Sequence, residues 1–175
     1  VKQEDLSNQK KTYFLEHINE KGLPPIHGTI EFLHRLSKEK DKLGLKTAVA
    51  SAARKHEILL SLKRVEIENS FDLIVSGQED LKDYRDPEGV NKPKPYIYLQ
   101  TAKLLGLSPA ECIAIEDSHT GVVSAASAGC VTIAIPHCYS KSQDLSNASL
   151  ILENLSKFSV DEFLEMAISA TKCMC

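Results

Sequence analysis

Apolar and polar positions alternate along this chain in two different rhythms. From Thr29 to Lys40, Ile30, Leu33 and Leu36 recur at helical spacing, which predicts an amphipathic helix. Lys46-Thr47-Ala48-Val49-Ala50-Ser51 and Phe71-Asp72-Leu73-Ile74-Val75-Ser76 are short apolar runs of strand length. Between them Arg54–Lys63 reads as a helix with Ile58, Leu59 and Leu62 facing inward. A polar stretch, Gly77–Lys92, has a turn at Asp86-Pro87-Glu88-Gly89. A helix from about Pro95 to Leu105 follows, with proline in its first turn and Gly106 as its stop. Ser108-Pro109-Ala110-Glu111 has capping-box spacing and predicts one helical turn before the apolar run Ile113-Ala114-Ile115. Val122–Ala128 is a small-residue helix, and Val131–Ile135 and Leu150-Ile151-Leu152 are further strands. Ser159-Val160-Asp161-Glu162 is a second capping box and opens the last helix, with Phe163, Ala167 and Ala170 on one stripe.

Strands alternating with helices from Lys46 onward predict an α/β fold with a parallel sheet covered on both faces. The preceding residues differ. Ser7–Glu20 reads as a helix, with Phe14 and Ile18 on one face and Tyr13 beside it, before Gly22 and Pro24-Pro25 break it.

Bulk properties narrow the classes. The chain has 175 residues, 42% hydrophobic and 26% charged, with a net charge of −3. That suits one globular domain, with a small appendage at most, rather than a disordered chain. Lys10-Lys11 and Lys38–Lys42 are short mixed clusters, read as solvated helix faces and not as nucleic-acid patches. No apolar run is long enough to span a membrane, and Val1-Lys2-Gln3-Glu4-Asp5 is no signal peptide. Of the five cysteines, Cys112 and Cys130 read as core thiols and Cys173 and Cys175 as tail residues. With no CxxC, a reduced, cytoplasmic protein is expected.

Candidate chemistry collects where strands end. Ser51 closes one strand ahead of Ala52 and Ala53, Lys92-Pro93-Lys94-Pro95 precedes a helix, and Glu116-Asp117 ends another strand ahead of Ser118-His119-Thr120-Gly121. In parallel α/β sheets ligands bind at the carboxyl ends of strands. A hydroxyl with backbone amides, a lysine and a carboxylate pair are what phosphoryl chemistry requires. The first holds phosphate oxygens, the second neutralises charge, and the third suits Mg²⁺. Each piece has a plainer reading: Ser51 as a strand-end cap, Lys92 as a solvated loop lysine, Asp117 and Ser118 as helix caps. Asp117-Ser118-His119 cannot form a hydrolase triad, because adjacent side chains point in different directions. His17, His27, His34, His56 and His137 lack metal-ligand spacing, and no G-x-G-x-x-G follows a strand. His119 is expected at the rim of the site or at the start of the following helix.

Four stretches in order carry a family resemblance: Ile26-His27-Gly28-Thr29, Ala48–Ala53, Asn91-Lys92-Pro93-Lys94-Pro95 and Ile115–Gly121. Together they resemble the haloacid dehalogenase-like hydrolases, in the β-phosphoglucomutase-like and phosphoglycolate phosphatase-like branch. The resemblance implies a Rossmann-like three-layer parallel sheet. Residues 1–24 would be the remnant of a helical cap and residues 25–175 the core. It implies that Ser51 and Ala52 bind the transferring phosphate, that Lys92 rather than Lys94 balances its charge, and that Glu116 and Asp117 hold Mg²⁺, with Asp117 the firmer ligand. The substrate would be a small phosphorylated metabolite, of the sugar phosphate or phosphoglycolate type. Nucleic acid and membrane are not expected as partners.

The family's nucleophile, the first Asp of a D-x-D-G-[TV] motif on the first core strand, has no counterpart here. In the family that strand runs between those matching Lys46–Ser51 and Cys112–Glu116. Its absence predicts two edges with unpaired backbone groups, each costing roughly 1–3 kcal/mol if buried. The sequence is therefore expected to be a fragment of a longer protein or to need its gap closed or covered. A catalytically inert remnant, or a phosphate- or Mg²⁺-binding domain acting with a partner, is the second reading. A receiver-like signalling domain is a third, poorer fit.

Overall fold

The computed structural model describes residues 25–172. The expected cap remnant, the helix over Ser7–Glu20 and the tail cysteines lie outside them. Among the described residues five α-helices and five strands follow one another: α1 (Thr29–Glu39), β1 (Ala48–Ser51), α2 (Lys55–Arg64), β2 (Leu73–Ser76), α3 (Tyr96–Leu105), β3 (Ile113–Glu116), α4 (His119–Ala128), β4 (Val131–Ala134), β5 (Leu150–Ile151) and α5 (Val160–Lys172). The capping boxes expected from the sequence are present. Glu111 accepts from the Ser108 amide at 2.8 Å ahead of β3. Glu162 accepts from the Ser159 amide at 2.8 Å ahead of α5. Gly106 and Gly129 close α3 and α4 in left-handed conformations that only glycine adopts without strain.

All strand pairs are parallel, but they form two sheets. β1 pairs with β2, and β3 pairs with β4, which pairs with β5. β1 and β3 share no ladder, so the gap expected between them is open. Alternation along each strand shows which groups face it. The Thr47 and Ser51 carbonyls accept from the β2 side and those of Cys112 and Glu116 from the β4 side. The backbone groups of Ala48, Ala50, Ile113 and Ile115 therefore turn toward the gap.

A cleft of about 860 Å³ fills that space. β1 and β3 line its sides; Tyr98, Thr101 and Leu105 of α3 line one face, and Phe32 of α1 and Phe163 of α5 the other. Separate apolar cores lie on the two faces. One packs Val75, Ile97, Tyr98, Ala114 and Ala125 together. The other packs Phe32, Ile133, Ile135, Leu155 and Phe163, with Phe32 and Phe163 meeting edge to face at 5.0 Å.

Two expectations fail on tertiary contacts. Leu59 is exposed while Ile58 is buried, because α2 turns only one edge of its apolar stripe inward. Lys40, expected in solvent, is buried: its ammonium pairs with Asp72, which also accepts from the Thr47 amide at 2.7 Å. The Lys40 hydrogen bond, followed by the Thr47 amide, holds the Asp72 carboxyl below its ordinary value. This pair ties α1 to the amino ends of β1 and β2, at the opposite end of the sheets from the candidate site. α4 begins at His119 rather than Val122, because Ser118 caps it by accepting from the Gly121 amide at 3.3 Å.

Candidate functional site

The carboxyl ends of β1 and β3 meet at one end of the cleft. Ser51, Ala52, Lys92, Glu116 and Asp117 all line it, so five residues from three separate stretches of sequence come together. At the end of β1, the Ser51 hydroxyl accepts from the Ala53 amide at 3.2 Å. A hydroxyl has one donor and two acceptor sites, so this contact leaves Ser51 able to donate to a phosphate oxygen. The turn is fixed from beneath. Buried Ser76 donates to the Ala53 carbonyl at 2.7 Å, and Gln78 Nε2 donates to the Ala52 carbonyl at 3.2 Å. A Cβ on Gly77 would stand 3.2 Å from Ala52 Cα, so this close approach favours glycine.

Lys92 crosses the gap. Its ammonium donates to the Ala50 carbonyl on β1 at 3.2 Å and pairs with Glu116 on β3. A third contact, at 3.3 Å, reaches the Tyr98 hydroxyl. Lys94 points the other way, pairing with Glu88 at 2.5 Å and Asp86 at 3.6 Å. Lys92 is turned into the cleft mouth and Lys94 to the loop surface.

Glu116 is held on three sides. Lys92 and the Tyr98 hydroxyl both bond its Oε1, and its carboxylate lies so close to Gly121 that any Cβ there would collide with it. Burial, then the charge and hydrogen bond of Glu116, push the Tyr98 phenol far above its ordinary value, so it stays a neutral donor. Asp117 is different. Its side chain is 46% exposed, and His137 Nε2 lies 3.4 Å from Oδ2. His119 is exposed and is the first residue of α4, its amide donating to Gln143 Oε1 at 2.8 Å.

The donor set suits a hard cation in chemistry, since both carboxylates offer oxygen. Among the described residues no group of three or more His, Cys, Asp or Glu could hold a metal. Two carboxylates are as many as an ion such as Mg²⁺ uses when it retains several waters.

Sequence reasoning missed Tyr98, Gly121, Ser76 and His137. Tyr98 lies six residues after Lys92 on α3, where an aromatic residue reads as ordinary core. Gly121 stands in one of the quoted stretches, but nothing in the sequence says which carboxylate needs its space. Ser76 ends a strand as Ser51 does, a parallel visible in the sequence. His137 is distant from Asp117 in sequence, and only the fold pairs them.

A parallel strand arrangement covered by helices on both faces, with polar groups gathered at strand ends, defines a Rossmann-like α/β protein. The chain belongs to the haloacid dehalogenase-like hydrolase family, whose model matches residues 1–135. It is 31% identical over 145 residues to the phosphorylated carbohydrates phosphatase of Thermotoga maritima, covering 83% of this chain and 57% of that protein. It is 29% identical over 154 residues to hexitol phosphatase A of Escherichia coli, covering 83% and 62%. The crystal structure of β-phosphoglucomutase from Clostridium difficile superposes with a TM-score of 0.72 at 22% identity, over 96% of this chain and 68% of that one. The chain thus spans less than two thirds of either curated relative. Among the described residues no helix is long and apolar enough to cross a membrane.

Proposed function

We propose that this chain carries the phosphate- and cation-holding part of a Mg²⁺-dependent phosphatase or phosphomutase. Its substrate is a small phosphorylated metabolite of the sugar phosphate or phosphoglycolate type, and its setting is the cytoplasm. The observation that carries the reading is the meeting of Ser51, Lys92, Glu116 and Asp117 at one end of one cleft. Ser51 and the Ala52 amide bind phosphate oxygens, and the Lys92 ammonium offsets their charge. Asp117, with Glu116 behind it, holds Mg²⁺, which supplies electrostatic stabilisation of the phosphoryl oxygens when bound.

The nucleophile is an aspartate on a strand seated between β1 and β3. Its carboxylate oxygen bonds to phosphorus as the substrate oxygen leaves and takes up a proton. Water then cleaves the aspartyl-phosphate to inorganic phosphate, or a substrate hydroxyl receives the phosphoryl group in a mutase. One observation favours the second reading, a binding domain that acts with a partner. Among the described residues the acids lining the cleft are Glu111, Glu116 and Asp117, and Glu111 is committed to capping, accepting from the Ser108 amide at 2.8 Å.

Hydrolysis of an aryl phosphate with Mg²⁺ tests this. The chain alone is expected to give no turnover. Adding a polypeptide segment that bears an aspartate on an apolar strand restores it, and Asp117→Ala abolishes the restored activity. Turnover by the chain alone, lost in Asp117→Ala, would show that a nucleophile is already present. No turnover with any added strand would leave the binding-domain reading.

A further inference from the structure

We propose that Tyr98 is a positioning residue of this site. Its hydroxyl fixes Glu116, and the Tyr98–Glu116 pair holds the Lys92 ammonium across the gap at the carboxyl end of β1. Calling the held group a phosphate site rests on the function proposed above; the holding itself does not.

The hydrogen-bond count carries the argument. A lysine ammonium has three donors. Here they meet the Ala50 carbonyl at 3.2 Å, the Tyr98 hydroxyl at 3.3 Å and Glu116 Oε1. A phenol can donate once and accept as well. That of Tyr98 donates to Glu116 Oε1 while accepting from Lys92. The three groups thus close a ring of hydrogen bonds. Tyr98 is 8% exposed and the Glu116 side chain 9%, so water offers little replacement for a lost partner, and a buried polar group left unpaired is costly. The Lys92 nitrogen also lies 4.9 Å from the Tyr98 ring centroid, within range of a cation–π contact.

The ring matters because Lys92 joins two separate sheets. It comes from the polar stretch after β2 and reaches carbonyl and carboxylate on opposite sides of the gap. Without Tyr98, Glu116 Oε1 would keep only the mobile lysine as partner, and both side chains could turn into the cleft. Of the three Lys92 contacts, the bond to Tyr98 is the longest and goes to a neutral acceptor. Gly121 completes the arrangement by leaving the far side of the Glu116 carboxylate unobstructed.

Two measurements on the full chain separate this role from packing. The first is the ¹H–¹⁵N ammonium signal of Lys92, assigned by its loss in Lys92→Arg. In the wild type it should persist under conditions where signals of exposed lysines vanish into exchange with water. In Tyr98→Phe, which keeps the ring and the core, it should be lost. The second is affinity for inorganic phosphate without metal, which should fall about tenfold in Tyr98→Phe, the scale of one hydrogen bond to a charged group. Unfolding midpoints identify any variant that fails globally, and Glu116→Gln provides the alternative break in the ring if Tyr98→Phe does. An unchanged ammonium signal in folded Tyr98→Phe would overturn the proposal. A signal lost as expected, with no phosphate bound even by the wild type, would keep the positioning role and refute the phosphate reading.

Discussion

β4 and the two strands beside the cleft, β1 and β3, are equally apolar, yet they are buried differently. In β4, Thr132, Ile133 and Ala134 are fully inaccessible. In β1, Ala48, Val49, Ala50 and Ser51 are all only partly buried, and Ile115 of β3 is 43% exposed. The difference is not composition but edges. β4 has a strand on either side and a helix layer above and below, whereas β1 and β3 each turn one edge to the cleft. A strand is part of a core only when its neighbours are present. The polar ends of the same two strands do meet, because Lys92 reaches across from one to the other. The site is thus more complete than the sheet that carries it.

Amide exchange sharpens this contrast most. Opening energies range from near zero to the global stability, typically about 5–15 kcal/mol. The amides of Val131 and Ile133, directed at β3, should exchange near the global limit. Those of Ala48, Ala50, Ile113 and Ile115, directed at the cleft, should be several kcal/mol less protected, roughly 3 or more. Equal protection would mean that the cleft is closed in solution. Denaturant unfolding should show the same asymmetry. Ile133→Ala, at a fully buried position, should cost about 2–5 kcal/mol, and Ile115→Ala at the cleft edge less than about 1 kcal/mol. Gly121→Ala should cost about 1–3 kcal/mol by overpacking against Glu116, and it should disturb the Lys92 ammonium signal as well.

The smallest effect lies at the far end of the sheets. The Asp72 carboxyl is held below its ordinary value of 3.8 chiefly by Lys40. Its contribution to stability is therefore fully present above pH 3.8 and lost as pH falls through the lowered folded value. Asp72 is 41% exposed, so solvent screening keeps that contribution near or below about 1 kcal/mol. Asp72→Asn should lower the unfolding midpoint at pH 7, and the gap from wild type should close near pH 2.

The fold was legible where local pattern decides it. The strand ending at Ser51, the helix ending at Gly106 and the capping box at Ser159 are properties of neighbouring residues, and each is found where its pattern places it. The gap beside β1 was also legible, from the family's strand order. What depends on distant partners was not. Lys40 looked like a solvated lysine because nothing nearby in sequence announces Asp72. Leu59 fitted the apolar stripe of α2, but a stripe does not reveal how much of it another layer covers. That Ser51, Ala52, Lys92, Glu116 and Asp117 would gather at the carboxyl ends of the strands was legible from three short stretches in order. Tyr98 was not, because an aromatic residue in a helix gives no sign that its hydroxyl will meet a buried carboxylate. The same holds for His137 and Asp117, joined only through the loop after β4.

The central claim is that one phosphate site is assembled from both sheets across an open gap. Titrating the ¹⁵N-labelled chain with inorganic phosphate and following its amide spectrum tests this most directly. The account predicts saturable shifts in Ser51–Ala53 and, at the same phosphate concentrations, in Glu116–Ser118, with Lys92 moving alongside both. Shifts confined to one sheet, or none in either, would contradict it.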